Sequence, residues 1–509
     1  MEKKRHGDEH RVVGEEGPTI STGNAELDSI LNGGLPANYV YLIEGDPGSG
    51  KTTLALQFLL EGVRRGERGM YVTLSETTAE LQAIARSHGW SIDPIDVCEL
   101  IPSEESLRRD AHYTMFHPSE MELSETTKAV LREVEEKNPA RVVFDSLSEM
   151  RLLAQHPLRY RRQILALKNF FAGRKCTVLL LDDRTSDDTD LNLQSVVHGV
   201  IHLTQWAPEY GAERRRLRVV KLRGVGYRGG YHDFRIQRGG LDVYPRLTAS
   251  SRHRHFERDR LLSGVPELDA LLGGGIELGS STLIVGPAGV GKSTVAAQYV
   301  LAAAERGERA AMFIFDESIG TLLDRSASIG MDLRPHIEAG RISIQQVDPA
   351  ELSPMEFAAA VRRAVQPPEG DGAKVVVIDS LNGYLNAMPG ERFLIIQLHE
   401  LLIYLGQLGV VSLLVVAQHG LLGELQTPVD ASYLADSVIL LRYFEFAGRV
   451  RKAISVLKKR TGPHEETIRE LRFSAAGVRV GEPLEAFQGV LTGTPIFHGQ
   501  GPLMESGDE

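Results

Sequence analysis

Two cysteines in 509 residues, Cys98 and Cys176, are too few for a disulfide framework and point to a reducing compartment. Long hydrophobic runs are missing too. The most continuous one, from Leu401 to Val416, is broken by Gln407 and by glycines, so it predicts a buried helix plus a strand and no membrane span. Positive charge is in deficit. Lys and Arg number 57 against 68 Asp and Glu, leaving a net charge of −11, which argues against a protein whose main work is coating nucleic acid. The first ten residues are charged and have no apolar core, so no signal peptide is expected. The expectation is a soluble, cytoplasmic protein without a membrane or nucleic-acid partner.

What is present is an ordinary globular composition, 42% apolar and 25% charged, in a chain long enough for two domains of about 200–250 residues each. Its most informative stretch is Gly286-Pro-Ala-Gly-Val-Gly-Lys-Ser-Thr294, lying between an apolar run (281–285) and a helical pattern (295–300). This is the phosphate-binding G-x-x-x-x-G-K-[ST] loop in its proper strand-to-helix setting. Glycines let consecutive backbone N–H groups turn toward phosphate oxygens, and the helix that follows adds its positive end. Gly286, Gly289, Val290, Gly291, Lys292, Ser293 and Thr294 are therefore candidate nucleotide-binding residues. Lys292 would neutralise the β/γ-phosphates and Ser293 would hold Mg²⁺.

The loop occurs twice. Gly45-Asp-Pro-Gly-Ser-Gly-Lys-Thr-Thr53 repeats it after a predicted strand over 39–43, so Gly45, Gly48, Ser49, Gly50, Lys51, Thr52 and Thr53 form the matching set. Lys51 and Lys292 are 241 residues apart, and Arg65-Gly-Glu-Arg68 recurs as Arg306-Gly-Glu-Arg309. A period of this size is a duplicated domain, since solenoid repeats run about 20–50 residues. Strands predicted at 69–74, 141–145, 176–181, 312–315 and 375–378 are apolar without alternation and are separated by helical patterns. They predict an α/β fold, with a mostly parallel sheet flanked by helices in each half. The expected divisions are a disordered tail (1–17), a first domain (18–247), a polar, basic linker (248–260), a second domain (261–497) and a short acidic tail (498–509).

Ligands collect beyond the carboxyl ends of such strands. Asp145 and Asp379 each close an apolar run and precede Ser-Leu, a place from which a carboxylate can hold the Mg²⁺ shell opposite Thr52 or Ser293. The plain alternative is a strand cap. Asp316 and Glu317 are candidates to orient or deprotonate the attacking water or hydroxyl; in the first half the pair is Ser75-Glu76, one carboxylate short. A surface helix cap is the alternative there. Lys221-Leu-Arg223 and Lys458-Lys-Arg460 place two cations on one face of a strand, which on residues alone favours a solvated basic strand.

Taken together, the two loops, Ser75-Glu76 and Asp316-Glu317, Asp145-Ser-Leu and Asp379-Ser-Leu, Lys221-Leu-Arg-Gly224, and 453–460 followed by Ile468-Arg-Glu470 resemble the KaiC family of RecA-like ATPases, from about residue 20 to 497. The resemblance implies two tandem RecA-like P-loop NTPase domains in a hexameric double ring, with ATP and Mg²⁺ held between neighbouring subunits and regulatory protein partners. It also implies that Lys221, Leu222, Arg223, Lys458 and Arg460 belong to the neighbour's ATP site. The family's clock members phosphorylate themselves on adjacent Ser and Thr in the second half. Ser432 and Tyr433 stand at those two places and are candidate phosphosites. Two features depart from the family: Tyr227 replaces a histidine near the adenine, and the acidic tail is short. The implied function is an ATPase and serine/threonine autokinase acting as a signalling or circadian-type switch. A nucleotide-gated scaffold with little hydrolysis and a nucleic-acid-dependent ATPase of the same fold are the competitors.

Overall fold

A computed structural model describes residues 17–100, 118–154, 156–183, 191–248, 259–348, 350–386, 393–418, 433–491 and 495–498. The expected terminal tails, most of the linker and Ser432 lie outside the described residues. Two compact units form, one of Met1–Glu209 and Glu213–Arg246, the other of Tyr210–Ala212 and Leu247–Glu509. No helix among the described residues is long and apolar enough to cross a membrane.

Each unit is built on a nine-stranded sheet. In the first, Val40–Gly45 lies at the centre, with Thr177–Asp183, Arg141–Asp145, Gly69–Thr73 and Asp96–Glu99 on one side. Gly199–Trp206 lies on the other side, and all of these run parallel. Arg214–Leu222, Tyr231–Gln237 and Gly240–Tyr244 extend the sheet in antiparallel fashion. The second unit has the same order around Ser281–Gly286, with Val411–Ala417, Val375–Asp379, Ala310–Ile314 and Ile342–Gln346 to one side. Ser437–Phe446, Arg449–Lys459, Ile468–Ser474 and Gly477–Pro483 lie to the other.

The two-sided burial explains why the parallel strands read as continuous apolar runs. In Val40–Gly45, Tyr41 and Ile43 enter one core and Leu42 enters the core on the opposite face. Helices cover both faces, and Lys51–Arg64 and Lys292–Glu305 pack directly behind their loops. The expected helix and strand around 401–416 are Leu394–Gln407 and Val411–Ala417. One expected strand is longer than anticipated: the run ending at Leu181 continues through Asp182 and Asp183, because both extend the parallel ladder opposite Glu44 and Gly45.

One charge is held inside the first core. Arg141, with 0% exposure, opens the strand that ends at Asp145. Its guanidinium donates to Glu67 (2.5 Å) and to the carbonyls of Ser21 (2.8 Å) and Phe58 (2.7 Å), and lies 4.6 Å from the Phe58 ring centre. Val375 opens the corresponding strand of the second unit. A buried guanidinium is tolerated only while these acceptors surround it, and removing it strands them in an apolar site. Arg141→Ala should destabilise the first unit by about 3 kcal/mol, seen as an earlier transition in urea unfolding followed by circular dichroism, while the second unit's transition stays in place.

Candidate nucleotide sites

Both phosphate loops leave the carboxyl end of the central strand and run into a 14-residue helix. Gly50 and Gly291 occupy the cap position with left-handed backbones, φ +99° and +108°. That conformation turns the chain so that the first helical N–H groups face the loop's concavity, which suits an anion. A side chain at either glycine would have to push a neighbour aside. A Cβ on Gly291 would lie 2.2 Å from Phe473 Cζ, and one on Gly50 would lie 2.8 Å from Ile236 Cδ1. Ile236 and Phe473 sit on corresponding antiparallel strands, so the sheet extension props each loop from beneath. The motif gave no sign of these two supports.

The loop side chains divide by direction. Lys51 and Lys292 are buried and curl back on their own loops. Lys51 Nζ donates to Gly45 O and Asp46 O, both at 2.8 Å, and Lys292 Nζ donates to Pro287 O at 2.8 Å. Val290 packs wholly in the core, and Thr53 is buried with its hydroxyl 3.4 Å from His88 Nε2. These two can offer a ligand their backbone only. Ser49 Oγ is buried without a hydrogen-bond partner.

Thr52 and Ser293 point at the carboxylates assigned to the metal. Thr52 Oγ1 lies 3.5 Å from Asp145 Oδ2, and Ser293 hydrogen-bonds Asp379. Asp379 is pushed up to about 6, first by burial and then, against its bond from Ser293, by the Glu317 charge. Its Oδ2 is buried with no hydrogen-bond partner. Burial also raises Asp145, which takes a 2.5 Å bond from Tyr71. A hydroxyl beside a buried carboxylate with an unshared oxygen is a hard-oxygen donor set of the kind Mg²⁺ takes, so the residues present fit the ion. The Asp145–Ser146 and Asp379–Ser380 peptide bonds are both cis.

The water-activating candidates differ between units. Glu76 is raised to about 7 by burial and by the Asp145 charge, and its Oε2 is buried without a partner. Glu317 is instead paired with Arg325 at 2.8 Å, and Asp316 is exposed and accepts from Ser380 Oγ. Ser75 is exposed. Three residues here escaped the sequence: Tyr71, Arg325 and Asp183, the last of which pairs with Lys51 at 2.7 Å. Only Asp183 left a trace, as an acidic residue following an apolar run.

The late cations lie at the other edge of the sheet. Lys221 Nζ donates to Gln194 O (2.6 Å) and Val197 O (2.9 Å), and Arg223 donates to Ser195 O (2.8 Å). Lys458 Nζ reaches Ala435 O (2.8 Å), and Arg460 reaches Tyr433 O (2.9 Å). Arg223 and Arg460 each follow the end of a strand and are not part of it. Leu222 between the first pair turns into the core. His198 lies level with Val40, so the length of the loop strand, roughly 17–20 Å, separates Arg223 from its own loop. Tyr227 donates to Val220 O at 3.3 Å. Tyr433 is 52% exposed, and Ser432 lies outside the described residues.

Comparison with known proteins finds matches over both units. A family model described as "ATPase: KaiC" matches residues 20–248 and again 261–485. The circadian clock protein KaiC3 of Synechocystis sp. is 26% identical over 488 residues, covering 94% of this chain and 95% of that protein. The circadian clock oscillator protein KaiC of Synechococcus elongatus is 25% identical over 505 residues, 97% and 94% of the two chains. The circadian clock protein KaiC2 of Synechocystis sp. is 28% identical over 497 residues, 93% and 83%.

The cap glycines give a direct check. With the first loop disabled by Lys51→Ala, Gly291→Ala should weaken ATP binding at the second loop by at least tenfold, since a left-handed alanine alone costs about 1–3 kcal/mol and its methyl must also displace Phe473. Equilibrium binding of ATP with far-UV circular dichroism as the folding control measures it.

Proposed function

The chain belongs to the KaiC family of ATPases, and we propose that it is a Mg²⁺-dependent ATPase with a serine/threonine autokinase activity in its second unit, working in the cytoplasm as a signalling or circadian-type switch. The observation that carries this is the repeated grouping at the carboxyl edge of each sheet: a glycine-capped helix start, a buried lysine, and a hydroxyl facing a buried carboxylate.

Each residue has work to do there. The loop N–H groups and Lys51 or Lys292 bind the phosphates, and Thr52 with Asp145, or Ser293 with Asp379, would hold Mg²⁺. The ion, when bound, neutralises charge that builds on the transferring phosphoryl group. Glu317 orients the attacking oxygen in the second unit, and Arg325 fixes its side chain. Glu76 does this alone in the first, from a site that brings its proton affinity close to neutrality, where a general base works best.

The late cations support assembly. Arg223 and Arg460 lie at the edge opposite their own loops, and Lys221 and Lys458 direct their ammonium groups to carbonyls at that same edge, so all four serve ATP bound by a neighbour in a hexameric double ring. Arg460 also holds the carbonyl of Tyr433, which brings the residue after Ser432 beside a cation destined for that ATP. Ser432 is the proposed phosphate acceptor over Tyr433 because it carries the short hydroxyl that the family's acceptors have, whereas a phenol is longer. For the first unit a second reading has some support: a single carboxylate and a lysine already paired with Asp183 suit a nucleotide-gated scaffold with slow turnover.

With Lys51→Ala silencing the first site, Glu317→Gln should keep ATP binding and lose nearly all hydrolysis; hydrolysis at the parental rate removes Glu317 from the mechanism. Intact-mass measurement after incubation with Mg-ATP should show one added phosphate that is lost in Ser432→Ala. An unmodified wild-type mass rules out the kinase, and phosphate retained in Ser432→Ala moves the acceptor elsewhere.

A further inference from the structure

The two phosphate-loop lysines are not in the same electrostatic state. Lys51 Nζ has three acceptors, the carbonyls of Gly45 and Asp46 at 2.8 Å and Asp183 Oδ1 at 2.7 Å. An ammonium group has three N–H bonds, so its donors are fully used. Among the described residues Lys292 Nζ has one hydrogen bond, to Pro287 O, and no ion pair.

The difference is built into the sheet. The register places Asp183 beside Gly45, the first residue of the loop, and places Ala417 beside Gly286 at the corresponding point of the second unit. A neighbouring position changes with it. Ser148 accepts from the Asp183 amide at 3.2 Å and sits 3.4 Å from Asp183 Oδ2. Its counterpart Asn382 instead clasps Ala417 through both the amide (2.8 Å) and the carbonyl (3.0 Å). The shorter serine leaves space for a carboxylate and adds a hydroxyl to steady it. Asp183 is thus held on two sides, with its side chain 31% exposed against 8% for Lys51. It also adds negative charge to a cluster that already contains Glu76 and Asp145, both of which it pushes upward.

We propose that Asp183 is the resting counterion of the first site's phosphate-binding lysine, and that a nucleoside triphosphate enters this site by taking Lys51 from Asp183. The proposal rests on reading the first loop as a nucleotide site. Phosphate oxygens need at least one of the three Lys51 N–H bonds, and the Gly45 and Asp46 carbonyls are fixed by the backbone. The bond most easily surrendered is therefore the one to the side chain of Asp183. Once released, that carboxylate remains close to the incoming phosphates and repels them. Affinity at the first site is consequently lower than its loop would give alone. The second site, with alanine at this place, carries no such gate. The gate is selective for phosphate number: a ligand too short to reach Lys51 does not have to open it.

The experiment uses the full chain carrying Lys292→Ala, so that only the first loop binds, and measures equilibrium affinity for Mg-ATP and for AMP. Asp183→Ala and Asp183→Asn should each tighten ATP by roughly tenfold, the scale of one charge-assisted contact, and leave AMP unchanged. Asparagine preserves the side-chain volume, so it keeps the test valid where alanine disturbs the strand end. Unchanged or weaker ATP affinity in a folded Asp183→Asn protein overturns the proposal, and weaker affinity would make Asp183 part of the liganded site instead. An equal gain for AMP also overturns it, since the effect would then not pass through Lys51. If neither the parent nor the variants bind ATP, the first loop is not a nucleotide site and both readings fall.

Discussion

Everything chemical in this chain depends on one constraint: strands running parallel through a sheet buried on both faces must all end at the same edge. Because helices cover each face, the strands offer ligands only their ends. The central strand delivers the loop, its neighbours deliver Asp183 or Ala417, and the next strands deliver Asp145 or Asp379 and the turns carrying Glu76 or Glu317. Backbone pairing sets the spacing between these groups. The side chains need only be short or held, as Thr52, Ser293, Tyr71 and Arg325 hold their partners.

On that shared frame the two units have diverged one residue behind the loop. In the first, a row crosses the sheet from Asp182 through Glu44, His202 and Arg218 to Tyr231. In the second, the same row is Val416, Val285, Leu440, Ser455 and Ile468. The buried members of that row, Asp182, Glu44 and His202, are paired: Arg151 meets Asp182 at 2.5 Å, and Glu44 takes bonds from His202 (3.1 Å) and Gln194 (2.8 Å). Gln194 also lends its carbonyl to Lys221, so in the first unit the strand carrying the loop is tied through one residue to a cation at the opposite edge. A row that is apolar except for Ser455 gives cohesion without direction. A polar row gives specific geometry at a cost in desolvation.

How much of this could be read from the chain follows from the range of each interaction. The loops, the helices behind them and the strand Arg141–Asp145 were legible because glycine pattern, apolar runs and helix starts are local signals. Asp145 and Asp379 were legible as strand ends. Asp183 was harder, because its importance arises from lying next to Gly45 in the sheet, 138 positions away in sequence. Ile236 and Phe473 were hidden for the same reason: nothing near them in the chain says that they prop a loop. Motif membership also overstated some side chains. Val290, Leu222 and Thr53 stand within matched stretches, yet each turns inward, because alternate positions of a strand or successive positions of a helix cannot all face one ligand.

The placement of the late cations follows from the same sheet logic. The strand after Gly199–Trp206 returns antiparallel, so it finishes where the parallel strands begin, and Lys221 and Arg223 arrive at the amino-terminal edge. Lys458 and Arg460 do so in the second unit by the same return. There they grip carbonyls of the segment entering the strand next to the loop strand, which fixes long, flexible side chains at modest entropic cost. A unit with its phosphate loop at one edge and its ordered cations at the other cannot bring both to one nucleotide by side-chain motion alone, because neither side chain spans a strand's length. It can do so by presenting its cations to the loop of another copy. Antiparallel return thereby separates loop from cations within each unit, which is the arrangement that the proposed sharing of a nucleotide between copies requires.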